Sequence, residues 1–393
     1  MPVEEQQHSE GNVLIKSYRL FNDDETLSAQ FIEYGATLTH FLVTASDGTV
    51  RDIVLGFDHP FEYMRVGHAQ NPYFGCIIGR ACNRTAFGKF HLNDQDYLLD
   101  NNNGPNHLHG GINGFDKCMW KGSILSHHPP SISFTFKSQN NDQNYPGSLN
   151  ITITYTLQAT DLVVQIEAIM DTDQPDSLQT YVNLTTHPYF NLDGMVNPTV
   201  LDHTIDMAGV KGVLELDDTQ IPTGKVLDCT DFADRDIGFA QIHTKPDYFL
   251  PITHPQTIAN GLECIVRFGG VDHFYLKSHS TKTKSDHELD SKLKHCDLGP
   301  PVMRLASHAS GIALEMYTDA LGIQVYTSNW LDGSLSAKKS SQPSNVQYGR
   351  FSAVCFEPSA PPNSINNPAY RHLVVMDKHN PWTQTSIYRV MLI

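Results

Sequence analysis

The sequence predicts an all-β chain folded as a large antiparallel β-sandwich, and two patterns carry that expectation. Ile132, Phe134 and Phe136 alternate with Ser131, Ser133 and Thr135, the period-two order of a strand buried on one side. Helical periodicity never accumulates three turns before Gly, Pro, Asn or Asp interrupts it.

The elements follow in order. Residues 29–45 read as strand. Ile151, Ile153, Tyr155 and Leu157 alternate again, and Ala159-Thr160-Asp161 separates them from the more apolar run 162–169, which predicts a hairpin with a more buried second strand. Residues 312–317 and 322–327 continue the strand pattern. No Pro- or Ser-rich linker divides the chain, so one domain is expected over 13–393, behind a flexible N-terminus at 1–12. The polar stretch 278–300 breaks the β pattern and reads as an exposed insertion within that domain. No internal repeat is visible.

Composition narrows the function. The 393 residues are 40% hydrophobic, with 19 Phe and 16 Tyr, which excludes a disordered chain. Lys and Arg number 27 against 43 Asp and Glu, a formal charge of −16, so the overall field repels phosphate backbones and anionic lipid. Neither a nucleic acid nor a membrane is an expected partner. No apolar run approaches the roughly 18 residues of a spanning helix, and MPVEEQQHSEGN lacks the basic-then-apolar order of a signal peptide. A cytoplasmic location is expected. The 7 cysteines are scattered without a C-x-x-C pair, which points to buried reduced thiols. Sequons at Asn83, Asn150 and Asn183 are read as chance matches.

Phosphate-loop, dinucleotide, zinc-protease and serine-hydrolase motifs are absent. Three other segments offer chemistry. In 75–120, Gly, Asn and His lie between short strands, and an extended His107-Leu108-His109 would put both imidazoles on one face, as a metal pair or as simple packing. In 183–192, Pro188 biases His187 toward extended backbone, amid Tyr, Phe and Asn that suit a sugar's C–H face and hydroxyls. In 354–358, Glu357 ends an apolar strand, where desolvation would raise its pKa toward that of a general base, unless the side chain is simply exposed.

Together these segments resemble the aldose 1-epimerases. The likeness rests on Gly79-Arg80 with Asn83-Arg84 and Gly88-x-Phe90, on Leu108-His109-Gly110-Gly111 with Gly114-Phe115-Asp116 and Trp120, and on Thr186-His187-x-Tyr189-Phe190-Asn191-Leu192. It continues through Val271-Asp272-His273, Gln324-Val325-Tyr326-Thr327-x-Asn329, and Glu357 with Pro362-Asn363-Ser364-Ile365-Asn366. The elements come in the family's order over residues 13–393.

The resemblance implies a single β-supersandwich domain that interconverts the α and β anomers of free aldohexoses such as galactose and glucose, with no cofactor and no metal. By position Glu357 corresponds to the base at the C1 hydroxyl and His187 to the acid at the ring oxygen. His109, Asn83, Arg84, Asp272 and Gln324 correspond to sugar-binding positions. Hemiacetal opening needs a proton removed at one oxygen and another delivered at the second, so a base and an acid must flank the sugar. A carboxylate near His187, with Asp272 the candidate, is expected to favour its cationic form. Trp120 is assigned to the core, and a monomer or homodimer is expected.

The sequence departs from the family at Pro358-Ser359-Ala360, where many members carry Thr-Gln, and in the length of 278–300. The alternatives are a hexose-6-phosphate 1-epimerase, for which Arg80 and Arg84 are the basic residues at hand, a non-catalytic sugar-binding or regulatory protein, and a metal enzyme built on His107 and His109.

Overall fold

Alternating apolar residues give strands one buried face, and those faces meet in pairs. The computed structural model describes residues 2–65, 72–228, 256–258, 269–278 and 298–393. Helix among them is confined to Pro60–Arg65 and a few three-residue 3₁₀ turns such as Ser364–Asn366.

The described strands form a five-stranded, a nine-stranded and a six-stranded sheet, with several two-stranded ribbons. The nine-stranded sheet runs Lys121–His127, Pro130–Ser138, Leu149–Gln158, Asp161–Met170, Trp382–Leu392, Ile312–Thr318, Met303–Ser307, Thr204–Asp206 and Gln256–Thr257. The expected hairpin is its centre: Leu149–Gln158 pairs with Asp161–Met170 from Leu149↔Met170 to Gln158↔Asp161. The six-stranded sheet runs Tyr189–Phe190, Val354–Ser359, Gly322–Tyr326, Asp272–Lys277, Val210–Leu216 and Pro222–Asp228.

One core lies between the sheets. Ile132, Phe134, Ile151, Ile153 and Leu314 of the nine-stranded sheet share it with Val354, Phe356, Val325 and Tyr275 of the six-stranded one. Phe31 and Tyr18 of the five-stranded sheet reach it too, with Phe31 4.2 Å from Tyr155 and Tyr18 edge-on to Phe134 at 5.7 Å between ring centres. Trp120 is buried there as expected, its indole N–H donating to the Phe115 carbonyl at 3.1 Å.

The six-stranded sheet positions the chemistry. Its inward residues Val354, Phe356, Ile323, Val325 and Tyr275 are core, so Cys355, Glu357, Gln324, Tyr326 and Asp272 project from the opposite face. The opposite row also packs in part, through Cys355 and Tyr326, and carries the polar candidates beside them.

The N-terminus corrects an expectation. Instead of a flexible lead, Val3–Glu10 forms a strand paired with Val13–Phe21 from Val3↔Leu20 to Glu10↔Val13. Its outer side chains are mostly exposed and polar, so no apolar alternation announced it; the backbone ladder and contacts such as Lys16 to Glu5 at 2.7 Å hold it. Most of the 278–300 insertion lies outside the described residues.

A buried ion pair fastens a distant loop to the first sheet. Lys338 Nζ sits 2.7 Å from Asp52 Oδ2 with neither side chain exposed, and it donates to the Thr39 carbonyl at 2.6 Å. Asp52 also accepts from Ser341 Oγ at 2.6 Å and from the Phe41 N–H at 3.1 Å. Removing one partner strands the other charge away from water. Lys338→Met is therefore expected to cost about 3–5 kcal/mol in urea unfolding, and Lys338→Met with Asp52→Leu to cost less than the single change.

Candidate active site

Each functional side chain is placed by a local constraint. His187 lies between strand Thr185–Thr186, paired with Ile77–Ile78, and strand Tyr189–Phe190, paired with Val354–Cys355. Its N–H donates to the Cys76 carbonyl at 3.0 Å, and its carbonyl accepts from Gly75 at 3.0 Å, so the backbone is held on both sides. The extended path expected before Pro188 is the one observed. Tyr189 stacks on the imidazole with ring centres 5.1 Å apart.

Glu357 reaches His187 from the strand paired with Tyr189–Phe190, Oε1 lying 3.3 Å from Nε2, and each residue is only 3% exposed. Burial, then the nearby Asp272 carboxylate, pushes the Glu357 carboxyl well above the ordinary range, with Arg84 acting in the opposite sense. Burial lowers the His187 imidazole to about 4. Both shifts favour the uncharged forms, a protonated carboxyl beside a neutral imidazole.

His109 completes the reactive cluster. Its ring centre is 5.5 Å from that of His187, and its Nδ1 accepts from the Asn83 N–H at 3.2 Å. Burial first, then the neighbouring His187 and Arg84, lowers its pKa well below the usual value. The neutral ring therefore carries its proton on Nε2 and is a donor there. Asn83 and His109 both adopt left-handed backbone, φ 56° and 52°. Gly110 follows because a Cβ there would sit 1.8 Å from the Gly79 carbonyl oxygen.

Sheet register supplies the rest. Gln324 is directly opposite Glu357, and Asp272 is opposite Tyr326, which puts Asp272 on the diagonal from Gln324 on the same face. Gln324 Nε2 donates to Asp272 Oδ1 at 2.7 Å. Arg84 arrives on a short strand paired to His107–Leu108, its Nε donating to Asn103 Oδ1 at 3.1 Å and its own N–H to Asn83 Oδ1 at 2.8 Å. All seven candidates, Glu357, His187, His109, Asn83, Arg84, Asp272 and Gln324, therefore gather at one site.

Three expectations change. Asp272 does not make His187 cationic: its carboxylate is engaged by Gln324 and by Gln220 Nε2 at 3.0 Å, and its field falls on Glu357. His107 does not share a site with His109, because its Nδ1–H donates to the Asp100 carbonyl at 2.8 Å and its Nε2 accepts from Tyr145 at 2.8 Å. Arg80 is no phosphate donor, its buried guanidinium being spent on the carbonyls of Pro146 at 2.9 Å, Gly147 at 2.8 Å and Gln139 at 3.2 Å.

Sequence reasoning missed Gln220, which bridges Arg84 and Asp272, Asn103, and Tyr73, whose ring lies 4.7 Å from His109. Gln220 and Tyr73 stand outside the segments with a chemical signature, and Asn103 lies within 75–120 but in none of the quoted motifs. Metal-ligating capacity also moved: His109, His187 and Glu357 offer three donor atoms within 4.8 Å of one another.

The family model for aldose 1-epimerase matches residues 16–389. The chain belongs to the aldose 1-epimerase family. Among curated members of that family it is 32% identical to galactose mutarotase of Sus scrofa over 377 residues, covering 95% of this chain and 94% of that protein. Galactose mutarotase of Homo sapiens is 32% identical over 382 residues, covering 96% of each. Among solved structures, the aldose epimerase homologue from C. elegans superposes with a TM-score of 0.75 at 26% identity, over 95% of this chain and 98% of that one. Galactose 1-epimerase from Lactobacillus acidophilus shares the fold, with a TM-score of 0.73 over 99% and 98% of the two chains at 19% identity. No helix among the described residues of this aldose 1-epimerase family member is long and apolar enough to cross a membrane.

The paired titration has a visible consequence. A profile of kcat/KM against pH is expected to be bell-shaped, with an acid limb where a second proton enters the pair, near the value of about 4 for His187. The alkaline limb, where the Glu357 carboxyl proton leaves, is expected above the usual carboxylate range. Asp272→Asn removes a like charge that raises Glu357, so that limb should move to lower pH; an unmoved limb would show that Asp272 does not act on Glu357.

Proposed function

We propose that the protein is an aldose 1-epimerase, a mutarotase that interconverts the anomers of free aldohexoses such as D-galactose and D-glucose. The observation that carries the reading is the buried Glu357–His187 pair, 3.3 Å apart. Mutarotation needs a base and an acid on two oxygens of one sugar, and it consumes no net proton.

In this mechanism Glu357 takes the proton of the C1 hydroxyl while His187 delivers one to the ring oxygen. The C1–O5 bond breaks, the aldehyde rotates about C1–C2, and closure on the other face returns both protons as the residues exchange roles. Burial opposes moving a proton from Glu357 to His187, because it disfavours both charges. A bound sugar supplies polar contacts to both charges, and Arg84 already favours the carboxylate. His109 donates its Nε2–H to a sugar oxygen. Asn83, Arg84, Asp272 and Gln324 hold hydroxyls, and Tyr73, beside His109, offers a ring face. We place the protein in the cytoplasm, as a monomer or homodimer acting through a single domain.

Polarimetry of freshly dissolved α-D-galactose and α-D-glucose tests the assignment. Wild-type protein should accelerate mutarotation, and Glu357→Gln or His187→Asn should each lower kcat by roughly 10²–10⁴-fold. A variant that retains galactose binding but loses turnover separates catalysis from mere binding. Folded wild type without acceleration would leave the sugar-binding reading.

The phosphosugar reading loses one of its two basic residues, because the Arg80 guanidinium is buried and held by the backbone carbonyls of Pro146, Gly147 and Gln139. A metal at His109, His187 and Glu357 would occupy both proton-transfer groups. Chelator is therefore expected to leave mutarotation unchanged, whereas added Zn²⁺ is expected to inhibit it competitively with sugar.

A further inference from the structure

The hairpin that joins Val210–Leu216 to Pro222–Asp228 turns at residues 217–221, far in sequence from every other site segment. Asp217 Oδ1 organises the turn, accepting from the N–H groups of Thr219 at 2.8 Å and Ile221 at 3.0 Å. A strap from the far side pins it: Asn106 Nδ2 donates to the Thr219 carbonyl at 3.0 Å. Within this turn Gln220 takes left-handed backbone, φ 64°, a region where Gly or Asn is the usual occupant. Nothing in the turn itself calls for a long amide.

The side chain has its partners across the site. Gln220 Oε1 accepts from Arg84 Nη2, and Gln220 Nε2 donates to Asp272 Oδ2 at 3.0 Å. Arg84 has a second anchor at Asn103, and Asp272 a second at Gln324. We propose that Gln220 is a positioning residue of the sugar site, an amide spacer that keeps Arg84 and Asp272 from pairing with each other and so keeps both open to sugar hydroxyls.

The chemistry of the amide explains the choice. Its carbonyl end meets the cation and its NH₂ end meets the anion, so one neutral group satisfies both with matched polarity. A guanidinium and a carboxylate this close, in a half-buried cleft, attract strongly once the spacer is gone. A direct fork between them would consume the donors and acceptors a sugar needs. The effect falls on binding, because Gln220 contacts neither Glu357 nor His187 through any hydrogen bond in the described structure. The unusual backbone conformation is then a cost borne for aim.

This inference rests on the mutarotase reading, and the test separates the two. Gln220→Gly removes the amide and relieves the left-handed backbone, so its melting temperature should equal or exceed that of wild type. Gln220→Asn keeps an amide and suits that backbone but is one methylene too short to span. With galactose, both variants are expected to raise KM about tenfold while kcat stays within about threefold. A KM within about twofold of wild type in both, a kcat loss at constant KM, or a KM rise in Gln220→Gly only alongside a lowered melting temperature would overturn the proposal. Wild type that fails to accelerate mutarotation would count against the function alone. The same variants' Kd for galactose, by calorimetry, would then decide Gln220: a tenfold weakening upholds the spacer and an unchanged Kd overturns it.

Discussion

The site depends on taking a carboxyl and an imidazole out of water together. Either group alone in that place would be a buried polar liability. Paired at 3.3 Å, they can exchange the carboxyl proton, and desolvation, which drives Glu357 up and His187 down, favours the neutral forms. The proposed chemistry starts by moving that proton. Arg84 and Asp272 pull on Glu357 in opposite directions, so the two charged sugar-binding candidates also tune the base.

Backbone geometry fixes where these groups can be. Glu357, Gln324 and Asp272 occupy one face of adjacent strands, a consequence of pleat and register that needs no local signal beyond alternation. Around that face, three non-glycine residues, Asn83, His109 and Gln220, the last in a hairpin of the same sheet, are held in left-handed conformation. Each aims a polar group or a backbone amide into the same hydrogen-bond network. Strain of this kind persists only where surroundings over-determine it, and here the surroundings are the sheets.

Charged residues away from the site serve the scaffold. Arg80 knits the 138–147 segment to the strand that precedes the site, and the Lys338–Asp52 pair closes a loop onto the first sheet. Arg80 and Arg84 are four residues apart in sequence, yet one is sealed among carbonyls and the other faces Gln220 and Asn103. Their environments assign opposite tasks to the same side chain.

The all-β class, the central hairpin and the core role of Trp120 were legible in the sequence, because alternation and turn residues are local signals that the chain obeys wherever it packs. The seven candidate residues were legible through the family's ordered motifs. The strand Val3–Glu10 was not, since its polar face leaves backbone pairing as its main support. Nor was the partner of Asp272, the separation of His107 from His109, or the bridge made by Gln220. Those depend on which side chains from remote segments meet at bonding distance and how much water remains around them. Charge state, proton position and hydrogen-bond partner are set by that enclosure, which no stretch of sequence contains.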